Sequence, residues 1–141
     1  MVRFTGYSEE EVSEELKIRL EENESSSVLT IMSGLEASFR IDYLQRCYKK
    51  EKDGLSREFR DMYKQYESSI RLEDGILSAW KNQMLVDHIL IGNIRGAFKY
   101  RHWLAHGRYW TPKLGQKYDY DSVYLLAEEV YSTFPFIDSE S

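Results

Sequence analysis

Cysteine is almost missing from this chain: Cys47 stands alone, so no internal disulfide can form. No group of Cys and His residues at metal-ligand spacing accompanies it, which points to a reducing compartment, with the cytoplasm as the expected location and no metal or other cofactor. Cys47 itself is expected in the core. Nowhere do about eighteen apolar residues follow one another, as a membrane span would need. The opening residues, MVRFTGYSEEEVSEEL, lack the apolar run and small-residue exit of a secretion signal. Neither a membrane partner nor secretion is therefore expected. Runs of alternating β-branched residues are absent as well, which removes the usual signature of half-buried strands. Acidic residues, abundant elsewhere, vanish between His88 and Tyr118.

Within that same window fall Arg95, Lys99, Arg101, Arg108, Lys113 and Lys117, in a chain whose formal net charge is −5. A negative total lowers the expectation of nucleic-acid binding, because phosphate contacts require Lys and Arg. Here the distribution matters more than the total. One basic region is set against acids concentrated in stretches such as SEEEVSEELKIRLEENE. With 141 residues, 42% hydrophobic and 30% charged, the chain can bury a core unaided, and residues 1–141 are read as one domain.

Helical spacing dominates and predicts an all-α, up-and-down bundle of four to five helices. Ser8 followed by Glu11 is a capping-box pattern opening a helix to about Glu24, with Val12, Leu16 and Leu20 as its apolar stripe. The stretch NESSS predicts a break. Val28, Ile31, Met32, Leu35 and Phe39 then mark a second helix toward Lys52, with Asp53-Gly54 as its stop. Ser56 is expected to cap a third helix, followed after a bend by a shorter piece, LEDGILSAWKNQ. From about Asp87, Leu90, Ile94, Ala97, Phe98 and Leu104 predict a fourth helix ending at Gly107. The segment GRYWTPKLGQKYDYD reads as a loop containing Pro112, and Asp121 or Ser122 opens a last helix that Pro135 stops.

Several charges fall on faces that should be apolar. At about 100° per residue, Arg101 shares the side of Leu90, Ile94, Ala97, Phe98 and Ala105. An unpaired guanidinium there would cost several kcal/mol, about 3–5, so Arg101 requires a carboxylate, a phosphate or a water-filled cleft. Asp42 and Arg46 interrupt the second helix's stripe in the same way, with Glu36 alongside. Asp42 or Glu36 is therefore the expected partner of Arg101 if these helices pack side by side. Arg95, Lys99, His102 and His106 form a basic row on another side of the fourth helix. Alternatively Arg101 serves only to fix helix register. His102 and His106 at i, i+4 lack the Glu of an HExxH site and have no evident third ligand. His88 is read as a surface or cap residue, and Trp103, Tyr109 and Trp110 as core or interface aromatics.

The segment RHWLAH, Arg101 to His106, has the form R-x4-H and lies late in a helix of an all-α domain. In this it resembles the HEPN superfamily, whose motif is R-x4–6-H. The resemblance implies a bundle that homodimerises, bringing two motifs to one cleft, and in many members metal-independent cleavage of RNA by toxins or antiviral defence effectors. Arg101 and His106 take the two motif positions. His102 takes the intervening polar position, where asparagine is commoner, and Glu36 and Asp42 are candidates for the supporting acid. In the subset paired with a nucleotidyltransferase antitoxin a tyrosine follows the motif histidine by two positions; here Arg108 is there and Tyr109 comes next.

The residue types suit that chemistry. Attack of a 2′-hydroxyl on the neighbouring phosphate needs proton transfer, for which imidazole is matched near neutral pH. It also needs stabilisation of added negative charge, which the guanidinium fork supplies. Arg95, Lys99 and Arg108 would guide the RNA backbone. Two other readings fit the same residues: a non-catalytic module that binds RNA or nucleotide beside a nucleotidyltransferase, or a helical protein-interaction domain whose basic segment meets an acidic surface.

Overall fold

A computed structural model describes residues 8–106 and 118–137. These residues form five α-helices: α1 (Glu9–Lys49), α2 (Gly54–Tyr66), α3 (Leu77–Asn82), α4 (His88–Ala105) and α5 (Tyr120–Thr133). No strand occurs among the described residues, so the all-α bundle expected from the spacing is what the chain forms.

The predicted break at NESSS does not exist. α1 is one helix of 41 residues, about 60 Å long at 1.5 Å per residue. Asn and Ser lower helix propensity by only about 0.5 kcal/mol each relative to Ala, and the stretch holds neither Pro nor Gly. Burial of Val28, Met32, Leu35, Phe39 and Tyr43 just beyond it outweighs that preference. Thr30 adds a hydroxyl bond of 3.0 Å back to the Ser26 carbonyl. At the start, the Ser8 hydroxyl accepts from the Glu11 N–H, as the capping pattern requires.

The other end of α1 also differs from expectation. The helix stops at Lys49, with Lys50 in the left-handed conformation at φ 52°. Asp53-Gly54 does not close α1 but opens α2, since the Asp53 side chain accepts from the Ser56 N–H and makes Asp53, not Ser56, the cap. The bend after α2 is a 3-10 turn, Glu67–Ser69, followed by a π turn, Leu72–Ile76, that runs into α3. α5 begins slightly earlier than predicted, capped by Asp119.

The core is one continuous cluster. Phe39 of α1 meets Phe134 edge-on at 5.1 Å, and Phe134 meets the fully buried Trp80 of α3 at 5.0 Å. Beside it lies a buried polar clamp. Arg46 donates to both Asp42 oxygens (3.2 and 3.0 Å), to Asp53 (3.2 Å), to Ser56 (3.4 Å) and to the Pro135 carbonyl (2.8 Å), while Asp42 accepts from the Ile137 N–H at 2.7 Å. This joins α1, the start of α2 and the chain after α5. Burial outweighs the Ile137 and Arg46 contacts and leaves the Asp42 carboxyl above its ordinary range.

α5 lies along α1, with the Tyr131 hydroxyl 3.0 Å from Ser38. α4 packs against α1 so that Arg101 reaches Glu36, and Val28 and Leu104 line a common cavity. Gly96 makes the close approach possible: Tyr118 crosses α4 where a Cβ on residue 96 would overlap its ring, and the Tyr118 hydroxyl donates to the Asn93 carbonyl at 2.9 Å. None of Glu9–Glu24 is buried, and Leu16 and Leu20 are 47% and 65% exposed. No described helix is long and apolar enough to cross a membrane.

Candidate functional site

α4 sets the site's position. Asp87 caps its start by accepting from the Ile89 N–H at 2.9 Å, with His88 exposed beside it. Leu90, Ile91, Ile94, Ala97 and Phe98 then hold the helix in the core. Ala105, expected on that stripe, is exposed, because the last turn runs past the packed surface. The motif therefore occupies the point where α4 leaves the core.

Arg101 is half-buried there. Its Nη1 donates to Glu36 Oε1 at 2.9 Å and its guanidinium carbon lies 5.1 Å from the centre of the Phe98 ring. The choice left open between Glu36 and Asp42 thus falls on Glu36, since the Asp42 carboxylate is taken up by Arg46 and the Ile137 N–H. Arg40, which sequence reasoning passed over, completes the arrangement. Its Nε donates to the other Glu36 oxygen at 3.1 Å and its Nη1 to the Ile70 carbonyl at 2.8 Å. The i, i+4 spacing of Glu36 and Arg40 was the available signal. Partial burial raises the Glu36 carboxyl, but the bonds and charges of Arg101 and Arg40 outweigh it and hold the group below the ordinary carboxylate range.

Glu36, Arg40, Phe98 and Arg101 line one side of a polar cavity of about 350 Å³, with Arg71, Glu73 and Asp74 of the π-turn region on the other. His102 and His106 do not line it. Both are exposed on another side of α4, their rings 4.1 Å apart, with the His106 N–H donating to the His102 carbonyl at 3.0 Å. An ideal helix separates positions 101 and 106 by about 140°, and the observed placement follows that divergence. Arg95 is tied to α3 through Ser78 Oγ at 2.9 Å, and Lys99 is exposed. Trp103 is half-buried and stacks on Tyr100 at 5.9 Å. Arg108, Tyr109, Trp110 and the expected cap Gly107 lie outside the described residues. Cys47, expected in the core, sits at its edge, where burial pushes its thiol up to about 11.

Compared with models of known protein families, with curated proteins and with solved structures, the chain matches none.

Proposed function

We propose that the chain is a metal-independent endoribonuclease of the HEPN type, a toxin or defence effector, whose active site forms when two copies bring their R-x4-H motifs together. The observation that carries this reading is Arg101 braced by Glu36 where α4 leaves the core, with the exposed His102–His106 pair within the next turn and a half. A braced guanidinium keeps its remaining donors oriented for phosphate oxygens.

In the proposed step the 2′-hydroxyl attacks the adjacent phosphorus and the bond from phosphorus to the 5′-oxygen breaks. One imidazole takes the 2′ proton and another delivers a proton to the leaving 5′-oxygen, giving a cyclic phosphate and a free 5′-hydroxyl. Arg101 holds the non-bridging oxygens as their charge grows. His106 is the residue assigned to proton transfer, and His102 places a second imidazole beside it. Lys99 and Arg95 contact the flanking backbone.

Incubation of labelled RNA in EDTA with the purified chain, and with Arg101→Ala and His106→Ala, tests the reading. Cleavage by the wild type alone supports it. An intact substrate with the wild type overturns it. The divergence of Arg101 and His106 on one helix favours one further reading, an RNA-binding module that does not cut, which the same experiment identifies as binding without cleavage.

A further inference from the structure

At the far end of α1, its last two turns and α2 enclose a groove of about 480 Å³ that takes no part in the site above. Leu44, Cys47, Tyr48 and Tyr63 give it an apolar, aromatic lining, to which Lys50, Arg60 and Lys64 add three cations. No carboxylate lines it. Asp61 approaches Lys64 at 3.9 Å, but outside the lining and with both side chains in water. In a chain of net charge −5, three cations around an apolar, aromatic groove are a local reversal of sign.

One of these cations is set in place by the backbone. Arg60 is anchored by donating to the Glu51 carbonyl at 2.7 Å, which keeps its guanidinium at the groove. Lys50 takes the left-handed conformation that ends α1, a strained position for a residue with a side chain, and this directs the chain away at the groove's edge. Arg60 and Lys64 follow one another by one helical turn, about 5–6 Å between Cβ atoms, a spacing suited to neighbouring phosphates. Tyr48 is 84% exposed and Tyr63 40%, so both present ring surface to the solvent.

We propose that this groove binds single-stranded RNA, with a base stacked on Tyr48 and Tyr63 and the adjoining phosphates held by Lys50, Arg60 and Lys64. Aromatic side chains lining a positively charged groove are the combination that grips single strands without regard to sequence. An acidic peptide would satisfy the cations but leave the two tyrosine rings unused. Tyr48 lies about 18 Å along α1 from Glu36 at 1.5 Å per residue, so the groove is separate from the Arg101 cavity and the proposal stands on its own lining.

The test is fluorescence anisotropy at low salt with a labelled 2′-O-methyl oligonucleotide, which has no 2′-hydroxyl to attack and so reports binding whether or not the chain cuts RNA. The Tyr48→Ala/Lys64→Ala double variant should bind at least about tenfold more weakly. Tyr48→Phe should stay within about twofold, since its ring still stacks. Unchanged affinity in the double variant, no binding by the wild type, or equal losses in the Phe and Ala variants would each overturn the proposal. So would preference for an acidic peptide over the oligonucleotide. Loss of cleavage in Arg101→Ala bears on the proposed nuclease alone and leaves this result standing.

Discussion

Arg101 and Arg40 divide the two oxygens of Glu36 between them, one guanidinium arriving from α4 and the other from the next turn of α1. The carboxylate is thereby fixed from both sides, and Arg101 is held by a group that cannot swing away. Side chains of Arg101 and Glu36 are 29% and 27% exposed, so water weakens the pair. A double-mutant cycle with Arg101→Ala and Glu36→Ala, read by urea unfolding, should give a coupling of about 1 kcal/mol. RNA cleavage should fall far more steeply than stability in Glu36→Ala, because the loss there is one of guanidinium orientation.

The same relationship fixes a pH dependence. Glu36 is held below its unfolded value, so its pairing contributes stability that is fully present above the unfolded carboxylate pKa and is lost as pH falls through the folded one. Following the Glu36 carboxyl by NMR should give a midpoint under the ordinary glutamate range, and Arg101→Ala should move it upward. A midpoint that ignores the substitution would contradict the geometry.

Asp42 should behave oppositely to Glu36. Its raised pKa means that the folded chain takes up this proton before the unfolded one, so acidification through that interval favours the fold at this group. Asp42→Ala at neutral pH strips Arg46 of its main buried partner and leaves the Ile137 N–H without its acceptor, a loss of about 3 kcal/mol or more in chemical denaturation. Activity per folded molecule should be unchanged, since Asp42 does not touch Arg101.

Continuity of α1 can be tested at Ser26. Proline there would remove one helical hydrogen bond and collide with the preceding turn, costing about 3 kcal/mol, whereas Ser26→Ala should stabilise by a few tenths, about 0.5 at most. Tolerance of proline would mean that the helix is broken at that point.

Gly96→Ala should destabilise by about 1–3 kcal/mol in thermal or urea unfolding, because the added methyl overlaps the Tyr118 ring and either α4 or Tyr118 must move. An unperturbed variant would show that Tyr118 does not cross α4 as described.

What could be read from the residues depended on whether a short-range rule decided it. Ser8, Asp87 and Pro135 mark helix ends through local chemistry, and each does so in the structure. Arg101 on an apolar stripe demanded a carboxylate, and one is there. Choosing Glu36 over Asp42 required knowing which turn of α1 faces α4, and helix phase alone leaves that offset undetermined. NESSS misled for a related reason: propensity disfavours helix locally, while the burial that overrides it begins at Val28 and depends on α4 and α5 arriving there. Asp53-Gly54 carries both a stop and a start signal, and only the path of the chain into α2 decides between them.

The unbroken rod of α1 has a mechanical consequence. Between Val12, near its acidic tip, and Glu36 lie about 36 Å of helix at 1.5 Å per residue, with no proline to act as a joint and one glycine, Gly34, that stays helical beside the Tyr131 side chain. Whatever grips the solvent-facing tip therefore has a lever on the turn that steadies Arg101, and a twist applied at one end is delivered to the other.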